Sequence, residues 1–178
     1  RNHTAAKADV TPTDPFWSEQ WGLRKVNVPG AWGMTTGAPV TVAVLDTGVN
    51  RVSDLAGRVL PGYDFINDDA NPADDEGHGT AVASVIAGRG DDGSGMAGVC
   101  WDCTILPVKV LDAKGSGDYL SIAKGIRYAA DQGAKVINMS LAGSASSPLL
   151  NTAVQYATDK GSLVIEAAGN ENTAVRHY

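Results

Sequence analysis

The chain is weakly patterned for its first dozen residues and strongly patterned afterwards. A polar arm runs to about Pro12, and "TDPFWSEQWGLRKVNVPGAW", residues 13–32, mixes aromatic anchors with turn residues, as expected of a segment wrapped over a domain surface. "PVTVAVLD", residues 39–46, is an almost unbroken β-rich run, the pattern of a strand covered on both faces. "TAVASVIAG" (80–88) is small, apolar and closed by glycine, which predicts a buried helix. The alternation then repeats: strand over "TILPVKVL" (104–111), amphipathic helix over "YLSIAKGIRYAADQG" (119–133), strand over "KVINMSL" (135–141), helix over "SPLLNTAVQYATDKG" (147–161) and strand over "SLVIEAA" (162–168). Strands alternating with helical stretches of about 10–15 residues predict an α/β fold with a parallel sheet covered by helices. Sheets of this kind carry their chemistry at the carboxyl ends of the strands.

Composition narrows the classes. The 178 residues, 43% hydrophobic and 19% charged, can bury the core of a single domain. A net charge of -6 without any run of Lys or Arg argues against nucleic acid or an anionic membrane as the main partner. No apolar stretch approaches the roughly 18 residues of a membrane span. The opening "RNHTAAKADVTPTD" lacks the apolar centre of a signal peptide, so a secreted protein would already have lost its leader. The two cysteines lie in "CWDC", as Cys100 and Cys103. A zinc site would need a second pair, and a redox dithiol usually opens a helix, whereas this pair precedes a strand. Two readings stand: a disulfide-closed turn suited to an oxidising compartment, or two free thiols.

Candidate chemistry gathers on two residues. Asp46 ends the first strong strand and is followed by Thr47-Gly48; His78 lies between glycines in "GHGT", where the buried helix starts. An aspartate that accepts from one imidazole nitrogen fixes the tautomer and leaves the other nitrogen free as a general base. The alternative is an aspartate capping its own turn beside a solvated loop histidine.

Four segments in order, "VAVLDTGV", "GHGTAVASVIAG", "GSGDYLSIAKGIRYAADQGAKVINMSLAG" and "VIEAAGN", resemble the catalytic core of the subtilisin-like serine proteases. "TDPFWSEQWGL" and "AADQGAKVI" resemble the thermitase branch. The resemblance implies a doubly wound parallel sheet with helices on both faces. Residues 1–12 would be an arm and residues 13–178 the N-terminal part of a catalytic domain, incomplete without a C-terminal part. It implies a serine endopeptidase with Asp46 as triad aspartate, His78 as triad base and Asn170 as oxyanion-hole donor. Ser140, Leu141, Ala142 and Gly143 would pair with one edge of an extended polypeptide, and Gly115, Ser116 and Gly117 with the other. Tyr119 would lid an apolar subsite, and Ala167, Ala168 and Gly169 would wall the primary pocket. For Leu141 and Tyr119, ordinary core packing is the other reading.

The same resemblance implies bound calcium. A tight site would use the carboxylates of Asp14, Asp54 and Asp92 with the carbonyls of Arg89, Ser94 and Met96; a weaker one would use Asp64, Asp69 and Asn71. The acidic stretch 64–76 also fits a solvated loop. The spacing in "DTGVNRVSDL", which carries Asp54, is one residue shorter than the family's usual spacing. Two departures stand out. The helix motif lacks the family's second histidine, which the triad does not use. Glu166 replaces a small apolar residue; strand alternation turns it away from Ala167, and a structural hydrogen bond is expected for it.

The family's Gly-Thr-Ser-Met-Ala nucleophile motif does not occur in these residues. Ser94, in "DGSGMAG", precedes a strand rather than a helix, so it is a poor nucleophile candidate. The chain by itself is expected to be inactive, with the serine on a C-terminal chain or segment. The competing class is a catalytically dead module that holds a peptide along Ser140–Gly143.

Overall fold

The computed structural model describes residues 9–37, 40–143 and 145–170. Residues 15–32 form a 3-10 turn, Pro15–Glu19, and two short helices, α1 (Trp21–Lys25) and α2 (Val28–Trp32). The hydrophobic pattern gave only a wrapped segment here. Proline sits in the first turn of two of these elements, where its missing N–H leaves no bond unmade. What holds them is aromatic packing: Trp32 lies between Trp17 and Trp101, with ring centroids 5.5 and 4.5 Å away, over buried Leu23, Val28 and Ala97. Val10 packs on this cluster and donates its N–H to the Pro29 carbonyl, so part of the polar arm is docked.

Five strands follow in one sheet: β1 (Thr41–Asp46), β2 (Tyr63–Asp64), β3 (Thr104–Lys109), β4 (Val136–Met139) and β5 (Leu163–Glu166). All pairings are parallel, in the order β2-β3-β1-β4-β5. The helices α3 (His78–Ala87), α4 (Tyr119–Asp131) and α5 (Pro148–Asp159) cover it. Side-chain alternation divides the core. Val42, Val44 and Ile105 pack with Ala83 and Ala87 of α3. Ala43, Leu45, Leu106, Val108, Ile137 and Met139 pack under α4 and α5. Helices on both faces make the sheet doubly wound, as expected. On the α3 face, Leu163 and Ile165 of the edge strand remain 60% and 46% exposed.

The strands stop earlier than their apolar patterns. β3 ends at Lys109 and β4 at Met139, because the chain beyond them leaves the sheet and Leu111 and Ser140–Gly143 go on to line a cleft; β5 ends at Glu166. Gly115–Gly117 are likewise not a strand. Asp112 closes them into a turn, its carboxylate accepting from Lys114 N–H (2.9 Å) and Ser116 N–H (3.0 Å). Conversely, α3 starts two residues before its apolar pattern, at His78.

Candidate active site

β1 is central and parallel to both neighbours, so Asp46 emerges at the carboxyl edge of the sheet, fully buried. α3 begins beside it. The approach is close enough to require glycine: a Cβ on Gly79 would lie 2.1 Å from the Gly48 carbonyl oxygen and 3.0 Å from Asp46 Cβ. This contact brings His78 Nδ1 to 2.8 Å from Asp46 Oδ1 and 2.9 Å from Oδ2. The Asp46 carboxylate also accepts from Thr47 N–H at 2.8 Å. The imidazole is 48% exposed, so it is anchored on one side and open on the other. The bond from Asp46 raises the pKa of His78; partial burial opposes that rise, and the charges of Asp46, Glu76 and Asp74 reinforce it.

A buried polar layer lies beneath the pair. Asp74 accepts from the N–H groups of Glu76, Gly77 and Thr80 at 3.1, 2.8 and 2.9 Å, and from the hydroxyls of Thr47 and Thr80. It thereby satisfies donors at the start of α3. Burial opposes its ionisation, yet the bonds from Thr80, Gly77 and Thr47 outweigh that and lower its pKa to about 2. Lys109, 1% exposed, sends its ammonium to the Thr47 carbonyl (2.6 Å), the Leu111 carbonyl (3.0 Å) and Asp75 (2.6 Å). A buried cation is tolerable only with such a full complement of partners.

A cleft of about 450 Å³ opens from His78. Gly115, Ser116, Gly117 and Tyr119 line one part of it and Ser140, Leu141, Ala142 and Gly143 another. Tyr119 donates its hydroxyl to the Ala145 carbonyl at 2.9 Å, joining the start of α4 to the segment after Gly143. Thr47, Glu76, Leu111, Ile122 and Leu150 also line the cleft, and sequence reasoning missed them. Adjacency was the available signal for two: Thr47 follows Asp46, and Glu76 lies two residues before His78. Ala167, Ala168, Gly169 and Asn170 lie past the end of β5 and do not line this cleft, although Ala167 N–H still donates to the Met139 carbonyl.

The register of β5 sets Glu166 beside Met139, on the α4/α5 face and away from Ala167. The structural hydrogen bond expected for it is not among those of the described residues. Instead it borders a small, largely apolar cavity with Met139, Leu141 and Leu150, and burial raises its pKa. Its place on an edge strand leaves it exposed to solvent, so water can solvate the carboxylate.

The loop of residues 89–96 gathers the first set of acidic candidates. Asp14, 4% exposed, accepts from Asp91 N–H at 2.7 Å through Oδ2, while its buried Oδ1 has no hydrogen-bond partner among the described residues. Asp54 Oδ2 accepts from Met96 N–H at 3.1 Å and the Asp54 carbonyl from Arg89 N–H at 2.9 Å. Asp92 pairs with Arg89 and accepts from Ser94 N–H at 3.0 Å. Ser94 thus belongs to this loop and not to the cleft. Among the described residues no three His, Cys, Asp or Glu side chains converge as metal ligands, so a cation here would need backbone carbonyls as well. In the second set, the Asp64 carboxylate accepts from Ile66 N–H, Asn67 N–H and the Asn67 amide, and Asp69 from Asn71 N–H. Cys100 and Cys103 are placed as a pair at the turn before β3, with Cα atoms 5.4 Å apart. Among the described residues no helix is long and apolar enough to cross a membrane.

The profile of the Subtilase family, Peptidase_S8, matches residues 37–178. Thermitase of Thermoactinomyces vulgaris is 44% identical over 170 residues, which cover 94% of this chain and 61% of thermitase. The thermophilic serine proteinase of Bacillus sp. strain AK1 is 42% identical over 167 residues, 92% of this chain and 42% of that protein. Among solved structures, a protease of Pseudoalteromonas arctica PAMC 21717 superposes with a TM-score of 0.84 at 34% identity, covering 92% of this chain and 60% of that one. Sphericase gives 0.73 at 42% identity, covering 79% and 49%. The chain therefore spans about three fifths of the length of thermitase and less of several other relatives. Family match, identity and fold agree: this chain belongs to the Subtilase family.

Proposed function

We propose that the chain supplies the acid, the base and the oxyanion donor of a secreted serine endopeptidase acting on extended polypeptides. The observation that carries this reading is the Asp46–His78 pair, buried at the acid and open at the imidazole, at the head of a peptide-sized cleft. Residues 1–12 are the arm and 13–178 the N-terminal part of the catalytic domain. His78 donates its Nδ1 proton to Asp46, which leaves Nε2 as the base toward the cleft. A serine from a segment outside this chain loses its proton to Nε2 as it attacks the scissile carbonyl. The Asn170 amide stabilises the negative oxygen that develops, and His78 returns the proton to the leaving amine. A serine-directed fluorophosphonate should label the full-length protein, and His78→Ala should abolish labelling. A folded full-length protein that takes no label would sink the endopeptidase reading and leave a peptide-binding module.

Calcium belongs to the same proposal. The buried Oδ1 of Asp14, without a hydrogen-bond partner among the described residues, suits a cation, and Asp54, Asp92 and the carbonyls of Arg89, Ser94 and Met96 would complete the site; Asp64, Asp69 and Asn71 would form a weaker one. A bound ion supplies stability by binding the folded state alone, about 2.7 kcal/mol at a hundredfold excess over Kd. A chelator should lower the melting temperature of the protein, and Asp14→Asn should remove most of that sensitivity. An unchanged melt in excess chelator would count against both positions.

A further inference from the structure

Thr47 uses every polar atom it has. Its N–H donates to Asp46 Oδ1 (2.8 Å), and its carbonyl accepts from Lys109 Nζ (2.6 Å). Its hydroxyl donates to Asp74 Oδ1 (2.8 Å) and accepts from Gly79 N–H (3.0 Å). The residue is 1% exposed. Thr47 follows Asp46 in the chain and Gly79 follows His78, so one hydroxyl joins the neighbours of both members of the pair. Neither bond belongs to a regular ladder. β1 has ended at Asp46, and Gly79 N–H is a first-turn donor of α3 with no carbonyl available inside the helix. Donation to a carboxylate fixes the hydroxyl hydrogen and aims a lone pair at Gly79.

We propose that Thr47 is a positioning residue for the Asp46–His78 pair: its hydroxyl sets the first turn of α3 against the end of β1, and with it the reach from His78 Nδ1 to the Asp46 carboxylate. A methyl group in its place would leave Gly79 N–H without its acceptor and set an apolar atom against Asp74. The turn would then relax away from β1 toward solvent. The charged groups facing His78, namely Asp46, Asp74 and Glu76, all remain in such a variant. A change in the titration of the imidazole would therefore report geometry and not lost charge. The effect on rate rests on the endopeptidase reading; the effect on titration does not.

Thr47→Val and Thr47→Ser in the full-length protein test this, read by NMR titration of the His78 ring and by kcat and KM on an unstructured peptide. For Thr47→Val the His78 midpoint should fall toward the ordinary imidazole value, and kcat should fall roughly ten- to a hundredfold with KM within about twofold. Thr47→Ser, which keeps the hydroxyl, should restore both. A folded Thr47→Val protein with lower thermal stability but an unchanged midpoint and kcat would overturn the proposal and leave Thr47 a stabilising residue only. Should Thr47→Val not fold, Thr47→Cys keeps the size with a weaker donor and acceptor. It should show part of the same two losses, and wild-type values in it would equally overturn the proposal. A wild-type protein without peptidase activity would count against the endopeptidase reading, while the titration would still decide the role of Thr47.

Discussion

Alanine at position 78 of the full-length protein should lower kcat by about a millionfold, the scale established for subtilisin itself, because members of such a triad act as a unit. KM should change little, since the imidazole contributes proton transfer more than ground-state binding. The ring is half exposed, so the variant should fold with a melting temperature near the parent's. Kinetics beside a thermal melt would check this, and residual activity within tenfold of the parent would show that His78 is not the base. The pH dependence carries a sign. The Asp46 bond raises the pKa of His78 above the ordinary 6.5, so the base becomes neutral only at higher pH. The acidic limb of kcat/KM should therefore lie above 6.5. Stability runs the other way. A folded pKa above the unfolded one gives a contribution fully present below about pH 6.5 and lost as pH rises through the folded value. Under the endopeptidase proposal, the active protonation state is the one in which this pair holds the fold less firmly.

Removing the Asn170 amide is the second large effect. Asn170→Ala should cost about 10²–10³ in kcat, the usual loss for one oxyanion donor, with KM nearly unchanged. Asn170 is exposed and follows Gly169, whose φ of 89° lets the chain turn past the end of β5. Asn170→Asp, of equal size, should be at least as damaging, because it sets a negative charge where the reaction develops one. Rates of fluorophosphonate labelling would register both variants alongside kcat. An Asn170→Ala protein that labels and turns over at the parental rate would remove Asn170 from the mechanism.

The layering of the fold was legible because burial on both faces of β1 demands an unbroken apolar run, and the small apolar face of α3 demands a helix. Strand ends were less legible. Leu111, Ser140 and Leu141 continue an apolar or small pattern after the ladder has stopped, and periodicity does not register where backbone pairing gives way to a cleft. The Asp46–His78 pair followed from two local signals, a strand end and a helix start, joined by likeness to a family. The layer below it did not. Lys109 looked like one polar residue in a strand and Asp74 like one acid among several, and only topology puts both under residues flanking the pair. The 3-10 turn and short helices of residues 15–32 were invisible for a related reason: at five residues or fewer they have no periodicity to detect, and distant Trp101 helps to hold them.

The contact of Gly79 with Gly48 has a thermal consequence. The spacing of acid and base is inherited from two main chains pressed together, one rooted in the central strand and the other in a helix packed on it. Side chains held by rotamer preference alone would drift apart gradually on warming. Here the hinge is rigid until the sheet itself gives way, so the pair should survive intact through the working range and fail abruptly, as a cooperative loss and not a slow decline.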